Sequence, residues 1–480
     1  MMDFTLINWV VNLLIVQGLM GAFDTIYHHE LTEDLAHHPS ARKELGIHAV
    51  RAVLYGVLFA AMAHLAFHGV WVLAVTALIA VEVALTLWDF VVEDNSRKLP
   101  PTERVLHTLL AINGGALFGL YAIHLVQWFK LPSEVVALDL GWRAWLLTLF
   151  AVGVAASGVR DGFAARKLGR AIPAVNPFQG LAYQRVLVTG ATGFIGESLV
   201  KQLLDAGHGV TVYARNPLRA ATMFQGRVRC VAKLQDLSAH DVFDTVINLA
   251  GAPVLGPLWT SKRQAQLLAS RVEVTNDLVA WLATAKRAPS QWIQASAIGY
   301  YGVRAPQEQL TEASAAGTGF MVELCRQWET AAQAAQRYGV RQVVLRLGVV
   351  LGPGGALPPL LLPHRFGMGG RMGSGQQVLS WIHRADVLAI MARAIGDVRM
   401  QGIYNTVAPG ALSQMDFAKT IGRVLHRLVW FPVPAAPLRW ALGEMAELLL
   451  DGQNVQPTRL LAEGYAFAFD NVEAALRDLV

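Results

Sequence analysis

Five long apolar runs in the first third of the chain restrict its fold more than any other feature. They are Phe4–Phe23, Ile47–Phe67, Val70–Val92, Val105–Phe129 and Trp142–Val159. Crossing a bilayer takes about 20 apolar residues in a helix. Lipid offers the backbone no hydrogen bonds, so runs of this length fold as helices. The second and third runs are separated only around Gly69, which predicts a tight hairpin. The first run has no basic leader and no small-residue cleavage site, so it reads as a span and not as a signal peptide. The composition agrees, with 54% hydrophobic and only 16% charged residues. An ordinary soluble protein is less apolar and more charged.

Basic residues near helix ends orient the spans. Arg42, Lys43 and Arg51 flank the first long loop. Arg97, Lys98 and Arg104 flank the loop after the third run, and Arg160, Arg166, Lys167 and Arg170 follow the fifth. The other side carries Lys130 and Arg143. This bias predicts an N-terminus outside and a C-terminal domain in the cytoplasm, as in a bacterial inner-membrane protein. The net charge is +5, but no basic block interleaved with aromatics is present, so nucleic acid is not an expected partner. The two cysteines, Cys230 and Cys325, lie beyond the apolar runs and suit a reducing compartment.

The pattern then changes. We expect a transmembrane helical domain over 1–165, a linker over 166–182, and a nucleotide-binding domain over 183–480. The last begins "RVLVTGATGFIGESLVKQLLDAGHGVTVYARNP". Arg185–Val188 reads as a buried strand, and Gly190, Gly193 and Gly196 form a turn opening a helix. Such a turn lets the backbone approach a pyrophosphate resting on the helix N-terminus. A second strand, Gly209–Tyr213, completes a Rossmann unit. NAD-binding versions place an acidic residue after that strand, about 20 residues beyond the glycines. Here Ala214 and Arg215 stand there, and a guanidinium pairs with a 2′-phosphate. NADP(H) is therefore favoured over NAD(H). Further strand-like runs at Thr245–Gly251, Trp292–Gly302 and Gln342–Gly355 alternate with helix-period segments. They predict an α/β fold with a doubly wound parallel sheet, preceded by the all-α transmembrane bundle.

The segments "VTGATGFIG", "INLAGAPV", "SAIGYYG", "LRLGVVLGPGGAL" and "SWIHRADV" together resemble the extended short-chain dehydrogenase/reductase superfamily. They are most similar to its atypical subgroup of epimerase family proteins, of the NAD-dependent epimerase/dehydratase type. That subgroup ends in a small C-terminal lobe, which Leu442–Phe469 resembles and which we place at about 428–480. The resemblance runs from Arg185 to the C-terminus and leaves the membrane part untouched. It implies that Gly190, Thr192, Gly193, Phe194, Ile195 and Gly196 form the phosphate loop. It implies Arg215 as the 2′-phosphate contact, and Asn248, Ala250 and Gly251 as the turn lying against the cofactor. Ser296 matches the superfamily's catalytic serine. His383, in the "WIH" segment, either orients substrate or only packs. The superfamily's Tyr-x-x-x-Lys pair is missing, because its positions are Met321 and Cys325. Tyr301, close to Ser296 in sequence, is the provisional substitute proton donor, although "YYG" also matches a structural turn of the fold; Glu323 and His383 are the other candidate acids.

The helix ends carry a second pattern. Asp24 and His28 end the first helix, and Glu44 and His48 begin the second. Asp89 and Glu93 end the third, and Glu103 and His107 begin the fourth. Each pair has i, i+4 spacing and shares a helix face. Carboxylates and histidines converging from four helices resemble the donor set of di-iron bundles, although the usual Glu-x-x-His spacing is one residue shorter than the spacing here. Asp24, His28, His48, Asp89, Glu93, Glu103 and His107 are therefore candidate ligands for iron or another transition metal. The alternative is that charged residues gather at helix ends because water is there. Glu82, deeper in the third helix, is a costly ionisable group in lipid.

Three functional readings follow. The first is a membrane-anchored NADP(H)-dependent oxidoreductase or epimerase-like enzyme acting on a small or lipophilic carbonyl or alcohol. The second is an NADP(H)-binding sensor without turnover. The third is a two-activity fusion, in which the bundle is a metal-dependent lipid oxidase or desaturase.

Overall fold

The structure, a computed structural model, describes residues 4–32, 35, 41–96, 99–170 and 175–480. Arg97, Lys98 and residues 171–174 of the expected linker lie outside these. The chain divides into two compact units, Met1–Pro173 and Ala174–Val480.

Among the described residues, the first unit contains five long helices: α1 (Phe4–Phe23), α2 (Arg42–His64), α3 (Trp71–Ser96), α4 (Pro101–Trp128) and α5 (Trp142–Arg170). By length and composition, all five are long and apolar enough to cross a membrane. They are apolar on both faces. Val10, Leu14, Phe59, Leu117 and Leu147 fill the interior, while Leu73, Leu87, Ile112 and Trp145 are exposed. A helix hydrophobic all round has no water-facing side. Small residues let α2 and α5 approach closely. A Cβ on Gly158 would meet the Ala49 carbonyl oxygen at 2.9 Å. Small residues on the facing sides are what permit so close an approach of two helix backbones.

Two details differ from the sequence reading. α2 and α3 are not joined by a bare hairpin. A strand β1 (Leu65–Phe67) follows α2 and pairs antiparallel with β2 (Val135–Ala137), between α4 and α5. In addition, α1 does not end at Phe23 but continues as a π-helical segment, Asp24–Thr32.

The second unit is built on a seven-stranded parallel sheet. Its strands are β3 (Arg185–Thr189), β4 (Gly209–Tyr213), β5 (Arg229–Val231), β6 (Thr245–Asn248), β7 (Gln291–Ala297), β8 (Arg341–Leu347) and β9 (Gly402–Thr406). The spatial order is β9-β8-β7-β6-β3-β4-β5. The order reverses between β3 and β6, and the crevice at such a switch point is where doubly wound sheets bind ligands. Burial on both faces explains why the central strands are nearly continuous runs of apolar residues. The sequence run Gln342–Gly355 is not one strand. Gly348 breaks it where a Cβ would meet the Ser380 carbonyl oxygen at 2.6 Å, and Val349–Leu351 leaves to pair with Trp381–His383.

Candidate functional site

The crevice is opened by the loop between β3 and helix α6 (Phe194–Asp205). Gly190 has φ +67°, a left-handed conformation that favours glycine. A Cβ on Gly196 would sit 2.2 Å from the Gly190 carbonyl oxygen, so the helix packs against its own entry turn only with glycine there. Gly193 caps α6 without a side-chain hydrogen bond, which leaves the first amides for an anion. Phe194 lies over Gly352, Gly354 and Gly355, with the Arg384 guanidinium 5.2 Å from its ring centroid. Thr192 and Ile195 are half-buried beside them. Arg215 is exposed just past β4.

Asn248 supports the opposite wall. Its Nδ2 donates to Thr275 Oγ1 at 2.8 Å and Gln294 Oε1 at 3.0 Å. Its Oδ1 accepts from Thr189 Oγ1 at 2.5 Å and from the Ala250 amide at 3.3 Å. These bonds spend the side chain on the protein, so Asn248 shapes the Ala250–Gly251 turn. Arg271, which sequence reasoning missed, props the same turn. It lies on helix α7 (Ser261–Thr284), is 9% exposed, and donates to the Ala252 carbonyl oxygen at 3.0 Å. Burial pushes its pKa down to about 10.

Ser296, near the end of β7, is 2% exposed and donates to Glu329 Oε1 at 2.5 Å. Glu329 lies on helix α8 (Phe320–Gln333). Arg346 of β8 grips the same carboxylate twice, through Nε at 3.0 Å and NH2 at 2.9 Å. The Tyr300 ring lies 3.4 Å under the guanidinium. This Ser296–Glu329–Arg346 corner was also missed. The available signal was an arginine inside the apolar strand "VVLRL", since a buried charge requires a partner.

Two family profiles match this unit. The NAD dependent epimerase/dehydratase family matches residues 186–406, and a domain of unknown function (DUF1731) matches 433–479. The epimerase family protein YfhF of Bacillus subtilis is 36% identical over 299 residues, covering 62% of this chain and 97% of the relative. The chain belongs to the epimerase family. Human SDR39U1, another epimerase family protein, is 37% identical over 302 residues, with 62% and 99% covered. A crystal structure of its isoform 2 with NADPH superposes with a TM-score of 0.56 at 35% identity, covering 62% of this chain and 98% of that one.

Within this epimerase-family unit, Tyr301 does not reach the crevice as expected. It is fully buried, its hydroxyl donates to Asn405 Oδ1 at 2.6 Å, and Arg346 NH1 donates to it at 3.1 Å. Burial raises its pKa. A tyrosine held this way is a poor proton donor to substrate. Cys325, at the superfamily's lysine position, is fully buried with its thiol pushed up to about 12 by burial, so it carries no charge that could activate a neighbour. His383 caps helix α9 (Arg384–Gly396). Its Nδ1 accepts from the Ala385 amide at 3.1 Å, and its ring stacks on Phe469 at 4.0 Å. Its Nε2 lies 3.3 Å from Asp478 Oδ2, so both ring nitrogens and a ring face meet groups of the protein. Asp386 accepts from the Ala468 and Phe469 amides and ties down the C-terminal lobe.

In the bundle, the helix-end residues do converge. Asp24, His29, Glu103 and His107 form one group of closely spaced donor atoms, and Glu44, His48 and Glu93 form another. Two expected ligands stand outside these groups. His28 has Nδ1 at 2.8 Å from Asp24 Oδ1 and Nε2 at 3.2 Å from Thr102 Oγ1. Asp89 pairs with Arg51 and lies 3.1 Å from His48 Nε2. Two residues absent from the expected set, His29 and Glu44, join instead. Asp24 meets both histidines, His28 at i+4 and His29 at i+5, where the π-helical register brings His29 Nε2 to 3.6 Å from Asp24 Oδ2. Glu82, 1% exposed, accepts from Thr86 Oγ1 at 2.7 Å and lies 3.5 Å from Arg51, the guanidinium that also pairs with Asp89.

Proposed function

We propose that the chain is an integral membrane protein whose C-terminal unit binds NADP(H) on the cytoplasmic side and uses it on a small or lipophilic carbonyl or alcohol. The observation that carries this reading is the uncapped α6 N-terminus behind a glycine turn, with Arg215 where an NAD-binding domain would have an acid. The human relative crystallised with NADPH supports it. The five apolar helices and the distribution of basic residues support the membrane placement.

The residues present fit the cofactor. Gly190, Gly193 and the first turn of α6 would hold the pyrophosphate, and Arg215 the 2′-phosphate. The turn at Ala250 and Gly251, propped by Asn248 and Arg271, would form the facing wall. NADPH, when bound, would supply a hydride to a carbonyl carbon. Ser296 Oγ would polarise the carbonyl oxygen, and the alkoxide formed would take its proton from water in the crevice. To do so, the hydroxyl must turn away from Glu329, which holds it in the resting arrangement.

Titration of the full-length chain in detergent tests the cofactor assignment. Arg215→Ala should weaken NADPH binding by about tenfold, the worth of one lost charge-assisted contact, and leave NADH binding unchanged. Equal affinities for NADPH and NADH in the parent chain would remove the assignment.

A second reading, NADP(H) binding without turnover, has its own support. Neither Met321 nor Cys325 can act as the superfamily's tyrosine and lysine, and Tyr301 is locked in the core. Tight NADPH binding, with no oxidation of NADPH across a broad panel of aldehydes, ketones and quinones, would favour it.

A further inference from the structure

We propose that the first unit holds a pair of divalent transition-metal ions, iron or manganese by donor type, at one end of the helical bundle. One ion would be held by Asp24, His29, Glu103 and His107, and the other by Glu44, His48 and Glu93. The donor atoms within each group lie within 4.8 Å of one another. The two groups adjoin. The His29 and His48 rings stack with centroids 4.6 Å apart. Glu93 reaches toward both groups, with Oε2 at 3.3 Å from His107 Nδ1 and Oε1 at 3.8 Å from His48 Nε2. It is therefore placed as the bridging carboxylate.

The histidines are prepared as ligands. A metal-binding imidazole characteristically gives one ring nitrogen to a carboxylate and the other to the metal. His48 is 9% exposed. Its Nε2 lies 3.1 Å from Asp89 Oδ2, while its buried Nδ1 has no hydrogen-bond partner among the described residues. His107 places Nε2 3.0 Å from Asp24 Oδ2 and turns Nδ1 toward Glu93 Oε2 at 3.3 Å. An unpaired polar atom as deeply buried as His48 Nδ1 is costly unless something fills the position. Asp24 is steadied in turn by His28, and Asp89 by Arg51. Charge agrees as well. The two groups bring four carboxylates, Asp24, Glu44, Glu93 and Glu103, which two divalent cations would balance. Mixed imidazole and carboxylate donors suit iron and manganese, whereas sites for softer metals carry thiolates. Both cysteines lie in the other unit.

Access also exists. A cavity of about 820 Å³ is lined by Asp24, His29, His48, Asp89 and His107 at its polar end, and continues between apolar residues including Phe118 and Phe150. An ion can enter, and the chamber beyond it suits a lipophilic molecule.

The test is elemental analysis of the full-length chain purified in mild detergent without chelator, then stripped and reloaded anaerobically with Fe(II) or Mn(II). About two ions per chain are expected, the stoichiometry of a carboxylate-bridged pair. Glu93→Gln should retain at most one, while His64→Gln, at the opposite end of α2, should retain both. If Glu93→Gln fails to fold, His29→Asn takes its place, and the parent chain's own stoichiometry still decides. A parent chain without stoichiometric metal both as purified and after reloading would reduce the cluster to an ion-pair network. One ion per chain, or metal kept undiminished in the folded variants, would likewise overturn the paired site.

Discussion

At the residue scale, the second unit depends on one carboxylate. Glu329 takes a proton-bearing contact from Ser296 and two from Arg346, and Arg346 is 2% exposed. Removing one partner of a buried pair leaves an uncompensated charge, which costs about 3–5 kcal/mol. Arg346→Met should therefore lower the unit's thermal stability markedly, and adding Glu329→Gln should restore part of the loss. Calorimetry of the three chains checks this; additive losses in the double variant would show that the pair is not coupled. Ser296→Ala removes a smaller, neutral group. If Ser296 polarises substrate, the variant loses kcat while NADPH affinity stays at the parent value. Full activity in Ser296→Ala would remove the role. The cofactor loop was legible because glycine spacing is a local property of the chain. The Ser296–Glu329–Arg346 corner was not, because its members come from β7, α8 and β8 and meet only through the sheet. His29 was hidden for another reason: a face assigned by i, i+4 spacing assumes an α-helix, and the segment from Asp24 is wound as a π-helix.

At the element scale, the entry of α6 is the tightest joint in the nucleotide-binding unit. A Cβ on Gly196 would lie 2.2 Å from one backbone atom of the preceding turn and 2.8 Å from another. Backbone cannot swing aside as a side chain can. Gly196→Ala should displace the helix, weaken NADPH binding and destabilise the unit by about 1–3 kcal/mol, the usual cost of overpacking. Unchanged NADPH affinity in that variant would mean that the helix N-terminus does not carry the pyrophosphate. Elements with strong periodicity, the five apolar helices and the central strands, could be read directly from sequence. The β1–β2 ribbon could not, since its three-residue strands lie far apart in the chain and carry no alternating pattern. The break at Gly348 was obscured by apolar residues on both sides of it.

At the scale of the whole molecule, the two units have separate cores. Val188, Leu199, Ile247 and Leu345 pack within the second, and Val10, Phe59 and Leu147 within the first. The Bacillus subtilis relative is 97% covered by a 299-residue match, so a protein of about that span exists without a helical bundle matched here. A chain with its own core and its own complete sheet has what independent folding requires. The fragment 175–480 should accordingly be soluble without detergent, unfold in one cooperative transition and bind NADPH as tightly as the full chain. Binding titrations on the fragment and the full chain decide the matter. A fragment that aggregates, or that folds without binding NADPH, would mean that the helices contribute to the nucleotide site. Matching affinities would mean that the helices serve some purpose other than building that site, and the metal content of the bundle would then be the measure of what it is.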